Sequence, residues 1–177
     1  MKEKVLQEKI LYKGKIINVK ELEVILPNGK LAKREVVEHP GAVAILPIDD
    51  DGGIFFVKQY RICANEILLE IPAGKLDKGE SPIDCAYREL EEEIGYRPKK
   101  LTLIHTFYPS PGISTEVLYL FLATGLEKTK VHPDEDEFLE IVKLNGEEIK
   151  NLLGQSLIKD SKTLIALYYY LQGGVKI

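Results

Sequence analysis

With 177 residues, 45% of them hydrophobic and 29% charged, the chain is long enough for a substantial core and is too apolar to be disordered. A net charge of −4 and the lack of any basic block argue against nucleic acid as a partner. The N-terminal stretch lacks the apolar run of a signal peptide, and no later segment approaches the roughly 18–20 apolar residues of a membrane span, so a cytoplasmic protein without membrane attachment is expected.

In chain order, KIINVKELEVIL and KLAKREVV alternate in polarity around Pro27-Asn28-Gly29-Lys30, and Asn-Gly between such runs predicts a hairpin. Residues 1–40 are accordingly expected to form a small N-terminal β subdomain. GAVAILPI and GIFFVKQY flank Asp49-Asp50-Asp51-Gly52 and predict a second, more buried hairpin. EILLEIPAG reads as one short strand leading into a helix. That helix starts at Ser81-Pro82, a cap followed by a proline at the first helical position, and stops at Gly95. Ile83, Ala86, Tyr87, Leu90 and Ile94 share one face, which is expected to pack on the sheet. LTLIHTFY and EVLYLFLATGL predict two more strands joined through Pro109-Ser110-Pro111-Gly112. An acidic loop at residues 132–137 then precedes the strand FLEIVKL, and two helices follow Asn145 and Asp160. Strands, one central helix, strands and closing helices imply an α/β or α+β layered fold.

The chemistry concentrates in GKLDKGESPIDCAYRELEEEIGY. Glu89 and Glu93 lie four residues apart and Glu92 three from Glu89, so the three carboxylates are neighbours on the flank and back of the helix. A divalent cation would turn their repulsion into coordination. The three histidines are scattered and Cys63 and Cys85 form no ligand-spaced pair, so any metal must take oxygen ligands, which narrows it to Mg²⁺ or Mn²⁺. Two or more such ions would hold a diphosphate and activate a water.

Gly74, Glu80, Arg88, Glu89, an apolar Leu90, Glu92, Glu93 and Gly95 fall at fixed spacings that chance would produce about once in 10⁸ starting positions. The segment resembles the Nudix box, with Tyr96 where that family usually has an aliphatic residue. The resemblance implies a Nudix-type α/β/α sandwich with a mixed sheet, formed here by residues 41–177. It also implies hydrolysis of a nucleoside diphosphate compound with Mg²⁺ or Mn²⁺. By position, Glu89 and Glu93 match metal ligands, Glu92 matches a third acidic position, Glu80 and Arg88 match residues that brace the box, and Gly74 matches a tight turn into the helix.

Outside the box the chain resembles the ADP-ribose pyrophosphatase branch. Ala73 in EIPAGKLD matches a position whose backbone carbonyl binds metal. Ser110 and Gly112, with Glu116 six residues after the serine, match a substrate loop, and Pro111 lies sixteen residues beyond Gly95, as in ADP-ribose enzymes. Glu137, or else Glu135, matches a further glutamate that acts as metal ligand or general base; Glu92 is a third option as proton acceptor. Arg34 and Arg61 match substrate-contacting arginines, whose planar forks suit phosphate oxygens. No aromatic residue occurs between positions 15 and 40 to stack on a base, which leaves Tyr12 or a residue elsewhere. The branch implies a homodimer paired through the N-terminal β region. Its expected reaction converts ADP-ribose to AMP and ribose 5-phosphate. The alternatives are hydrolysis of another ADP- or GDP-linked sugar, or a Nudix module that binds ADP-ribose without cleaving it.

Overall fold

A computed structural model describes residues 1–130 and 138–174. The chain divides into two compact units, Met1–Gly41 with Phe107–Leu118, and Ala42–Thr106 with Tyr119–Ile177.

The first unit contains an antiparallel sheet of β1 (Lys4–Lys13), β2 (Asn18–Ile25) and β3 (Leu31–Glu38) in that order. The β2–β3 hairpin closes at the expected Asn-Gly: Gly29 has φ +83°, and Leu26 and Lys30 are joined by a 2.8 Å backbone hydrogen bond. β1 pairs with β2 although every one of its side chains is exposed. The loop carrying Ser110, Gly112 and Glu116 belongs to this unit. It is tied to β3 through a parallel bridge between Val37 and Ser114, with Val37 N–H donating to the Ile113 carbonyl at 2.7 Å.

The second unit has two sheets. One is ordered β10 (Leu139–Leu144), β5 (Ile54–Arg61), β6 (Glu66–Glu70); the other β7 (Ala73–Lys75), β4 (Ala42–Pro47), β9 (Leu118–Lys128), β8 (Tyr96–Phe107). The expected second hairpin therefore does not form. β4 and β5 touch through one bridge, Ile48 to Ile54, and then enter different sheets. β4 and the first half of β5, residues 54–57, are apolar runs buried on both faces, and such strands take pairing partners on either edge from elsewhere in the chain. EILLEIPAG also divides. Pro72 has no N–H to continue the ladder, so β6 ends at Glu70 and β7 begins in the other sheet.

The helix α1 (Pro82–Ile94) packs on β4, β5, β7 and β10. Its Ala86, Leu90 and Ile94 join Val43, Ile45, Phe55, Val57, Phe121 and Ala123 in one core. Tyr96 stacks on Phe55 with ring centres 4.7 Å apart, so the unusual residue after Gly95 serves packing. Two helices close the unit: α2 (Gly146–Gly154), capped by Asn145, and α3 (Ser161–Tyr169), capped by Asp160. The architecture is mixed α/β.

Candidate active site

The helix that carries the box begins and ends where its sequence requires. Ser81 Oγ accepts the Asp84 N–H at 3.3 Å, Pro82 occupies the first turn, and Gly95 closes the helix at φ 70° with its N–H on the Glu91 carbonyl. Its buried stripe differs from the expected one. Cys85, Ala86, Glu89, Leu90, Glu93 and Ile94 face inward, while Ile83 is 44% exposed and Tyr87 half-buried. Two carboxylates thus occupy core-side positions that an apolar count assigns to Ile83 and Tyr87. Glu89 is only 7% exposed and Glu93 only 3%.

Charges so enclosed need partners. Arg88 is the hub. Its Nε and Nη2 donate to the two oxygens of Glu80 at 2.9 and 3.0 Å, and Nη1 donates to Glu89 at 2.7 Å and Glu92 at 2.8 Å. Nη2 also reaches the Lys75 carbonyl at 3.2 Å, fastening the helix to the end of β7. Hydrogen bonds from Arg88 hold the Glu80 carboxyl down at about 2. The same pair, followed by Glu89 and Glu92, raises the Arg88 guanidinium above its ordinary value. Repulsion among the glutamates is therefore answered first by a guanidinium, which the metal-only explanation from sequence left out. Cys85, buried beneath Arg88, has its thiol pushed up by burial, so it stays an inert core thiol; Cys63 is exposed.

The two most enclosed carboxylates meet consecutive residues of β7. Glu93 accepts the Ala73 N–H at 3.1 Å. A Cβ on Gly74 would stand 1.8 Å from the Glu89 carboxyl carbon. Gly74 lies within a strand and is not among the glycines with positive φ, so the expected tight turn is not its role. It is glycine because the Glu89 carboxylate fills the space a side chain would take. Two buried, hard-oxygen donors converging on one strand suit a divalent cation such as Mg²⁺. Among the described residues, no three His, Cys, Asp or Glu side chains form a complete cage. The expected contributors Glu135 and Glu137 lie outside the described residues.

Arg61 belongs to a second cluster. It forks onto Glu70 with two 2.8 Å hydrogen bonds, and Glu70 is 1% exposed. Burial opposes ionisation of Glu70, but the Arg61 fork and Lys162 outweigh it and lower its pKa. The Arg61 guanidinium is raised by Glu70 first and also feels the charge of Glu93, which links it to the box. Glu70, Lys162 and Thr163 were not singled out from sequence, and Asp160 was expected only as a helix cap. The available signal was a lysine and a threonine at the head of the otherwise apolar SKTLIALYYY.

The remaining candidates lie in the first unit. Arg34 pairs with Glu3 at 2.6 Å. The Ser110 carbonyl accepts from Ile113 and Ser114, and Gly112 sits in that turn. Glu116 takes its N–H to Ser114 Oγ at 3.1 Å and lies 3.8 Å from His39 Nδ1.

A fold with one helix bracing two buried carboxylates against a glycine strand defines a class. The NUDIX domain model matches residues 38–161, and the chain belongs to the Nudix hydrolase family. A second model, the nucleoside diphosphate sugar hydrolase N-terminal domain, matches residues 3–37. The chain is 46% identical to an ADP-ribose pyrophosphatase of Bacillus subtilis, covering 96% of this chain and 92% of the relative. It is 41% identical to a methanol dehydrogenase activator of Bacillus methanolicus, covering 94% and 91%. A crystal structure of an ADP compounds hydrolase superposes with a TM-score of 0.84 over 99% of this chain and 98% of that one; at 24% identity the likeness establishes the fold. Among the described residues, no helix is long and apolar enough to cross a membrane.

Proposed function

We propose that this chain hydrolyses the diphosphate of ADP-ribose to AMP and ribose 5-phosphate with Mg²⁺ bound at Glu89 and Glu93. The observation that carries this is the burial of those two carboxylates against Ala73 and Gly74, where an enclosed carboxylate needs a partner. The 46% identity to an ADP-ribose pyrophosphatase supports the choice of substrate. The metal, when bound, polarises the diphosphate oxygens and lowers the pKa of water. Arg88 fixes Glu89 and Glu92, and Ala73 supports Glu93 through its N–H and adds its carbonyl as a ligand. Arg61 offers the guanidinium nitrogen outside its Glu70 fork to a phosphate oxygen. Glu137, or alternatively Glu135 or Glu92, accepts the proton of the attacking water. Water adds to one phosphorus, and the bridging oxygen leaves with the other phosphate. Arg34, Ser110, Gly112 and Glu116 contact the substrate.

A wider preference for nucleoside diphosphate sugars is the second reading, favoured by the match over residues 3–37. Incubation with ADP-ribose and with ADP- and GDP-linked sugars, followed by chromatography, separates the two. AMP with ribose 5-phosphate as the dominant product is expected, abolished by a chelator and by Glu89→Gln or Glu93→Gln in folded protein. Dominant GMP release selects the second reading, and wild-type rates in both glutamine variants refute the metal assignment.

We further propose a cytoplasmic homodimer paired through the β1–β3 sheet. Val5, Leu6, Ile10, Leu11, Tyr12 and Leu31 are all exposed on this sheet, apolar side chains of which a second copy would cover those on one face. Sedimentation should give twice the 20.0 kDa chain mass, and Leu6→Glu with Ile10→Glu should give the single mass. A wild-type monomer rejects the pairing.

A further inference from the structure

We propose that Lys162, in the first turn of α3, is a positioning residue that holds Arg61 in its working orientation through the buried carboxylate of Glu70. This rests on the hydrolase function above, in which Arg61 binds a substrate phosphate.

Lys162 is 9% exposed, and lysine is rarely so enclosed without a specific partner. Its ammonium donates to Glu70 Oε2, the oxygen that also accepts Arg61 Nη2, and lies 3.0 Å from Asp160 Oδ1. Asp160 caps α3 by accepting the Thr163 N–H at 3.0 Å and the Thr163 hydroxyl at 2.6 Å. The Thr163 hydroxyl in turn accepts the Ile71 N–H at 2.9 Å. One turn of α3 therefore grips two consecutive residues, Glu70 by its side chain and Ile71 by its backbone. Two residues further on, Ala73 donates to Glu93.

The direction of support follows from exposure. Arg61 is a partly exposed side chain, and a carboxylate fastened by Arg61 alone would tilt with it. Lys162 gives Glu70 a second cation on the side rooted in a capped helix, and Asp160 keeps that cation balanced. Two cations and two carboxylates then form a largely enclosed network whose most solvent-facing member is the arginine. Removing the ammonium leaves Glu70 with one charged partner and lets the fork reorient away from the substrate phosphate.

The test compares Lys162→Met, Lys162→Gln and Lys162→Arg with a control, Lys159→Met, whose lysine is exposed and pairs with Glu66. Lys162→Gln serves if the methionine variant does not fold. With ADP-ribose and Mg²⁺, loss of the charge is expected to raise KM about fivefold or more with kcat changed less than about twofold, because uniform binding is what is lost. Lys162→Arg should restore most of the affinity. In an Arg61→Gln background, adding Lys162→Met should change KM by less than about twofold, since the residue it positions is gone. A merely structural brace would instead lower the melting temperature and leave KM alone. Independently of substrate, NMR exchange of the Arg61 Nε–H with solvent should quicken in Lys162→Met or Lys162→Gln and not in Lys159→Met. Unchanged KM or unchanged exchange overturns the proposal. If the wild-type protein turns over no nucleoside diphosphate compound, the hydrolase assignment fails separately, and the exchange measurement alone decides whether Lys162 holds Arg61.

Discussion

Two charged clusters of the second unit are opposites in stoichiometry. At α1 one guanidinium, Arg88, is shared by Glu80, Glu89 and Glu92, with Glu93 held by a backbone N–H beside them. Behind β6 one carboxylate, Glu70, is shared by Arg61 and Lys162, with Asp160 completing an even balance. An even balance needs nothing further and suits a fixed support. A surplus of buried carboxylate is stable only if it accepts another cation or is tied down at every oxygen. Under the proposed function the first cluster binds the cation and the second holds Arg61 beside it.

The strongest way to break this contrast is to move Glu89 without touching its charge. Gly74→Ala places a methyl 1.8 Å from the carboxyl carbon of Glu89, far inside any real contact. The glutamate must swing aside and surrender its 2.7 Å bond to Arg88. We expect turnover to fall by about 10–100-fold, as for losing a residue that orients metal ligands. Overpacking should cost about 1–3 kcal/mol of stability in urea denaturation. Gly79→Ala is the comparison: φ there is +84° with nothing within 4 Å of a new Cβ, so it should cost about 1 kcal/mol of backbone strain and leave turnover intact. Full activity in Gly74→Ala would mean that the surplus at α1 does no binding.

What could be read from the residues alone was local. Ser81, Pro82 and Gly95 fixed the ends of α1 because capping is decided within a few residues, and Asn28-Gly29 fixed the β2–β3 turn for the same reason. What required the fold was nonlocal. β4 and β5 looked like a hairpin because their partners, β7, β9, β6 and β10, are set by long-range pairing that a short turn cannot reveal. The inward face of α1 was misplaced because an apolar count cannot score a buried glutamate. Its positional signal is Gly74, fifteen residues upstream, whose missing side chain is explained only by contact with Glu89. β1 escaped notice for a related reason: all its side chains are exposed, so no buried face imposes an alternation. The spacing of the box names Glu89 and Glu93, whereas the polar head of SKTLIALYYY marks Lys162 and Thr163 without naming the partners they meet in the fold.

A smaller effect sharpens the contrast by asking where the surplus resides. Glu80 is held at about 2 against an ordinary 4.5 by Arg88, so between those values the unfolded chain binds a proton that the folded chain does not. Its contribution to stability is complete above about pH 4.5 and is lost as pH falls toward about 2. Glu70 is also lowered and adds to the same acid sensitivity, with its own two cations as the cause. Urea denaturation at steps of descending pH should therefore show Glu80→Gln losing stability less steeply than wild type in acid, by up to about 1.4 kcal/mol per pH unit. Parallel curves would mean that Arg88 is not committed to Glu80. A shallower curve would mean that Arg88 is committed first to Glu80 and that Glu89 and Glu92 share its remaining nitrogen.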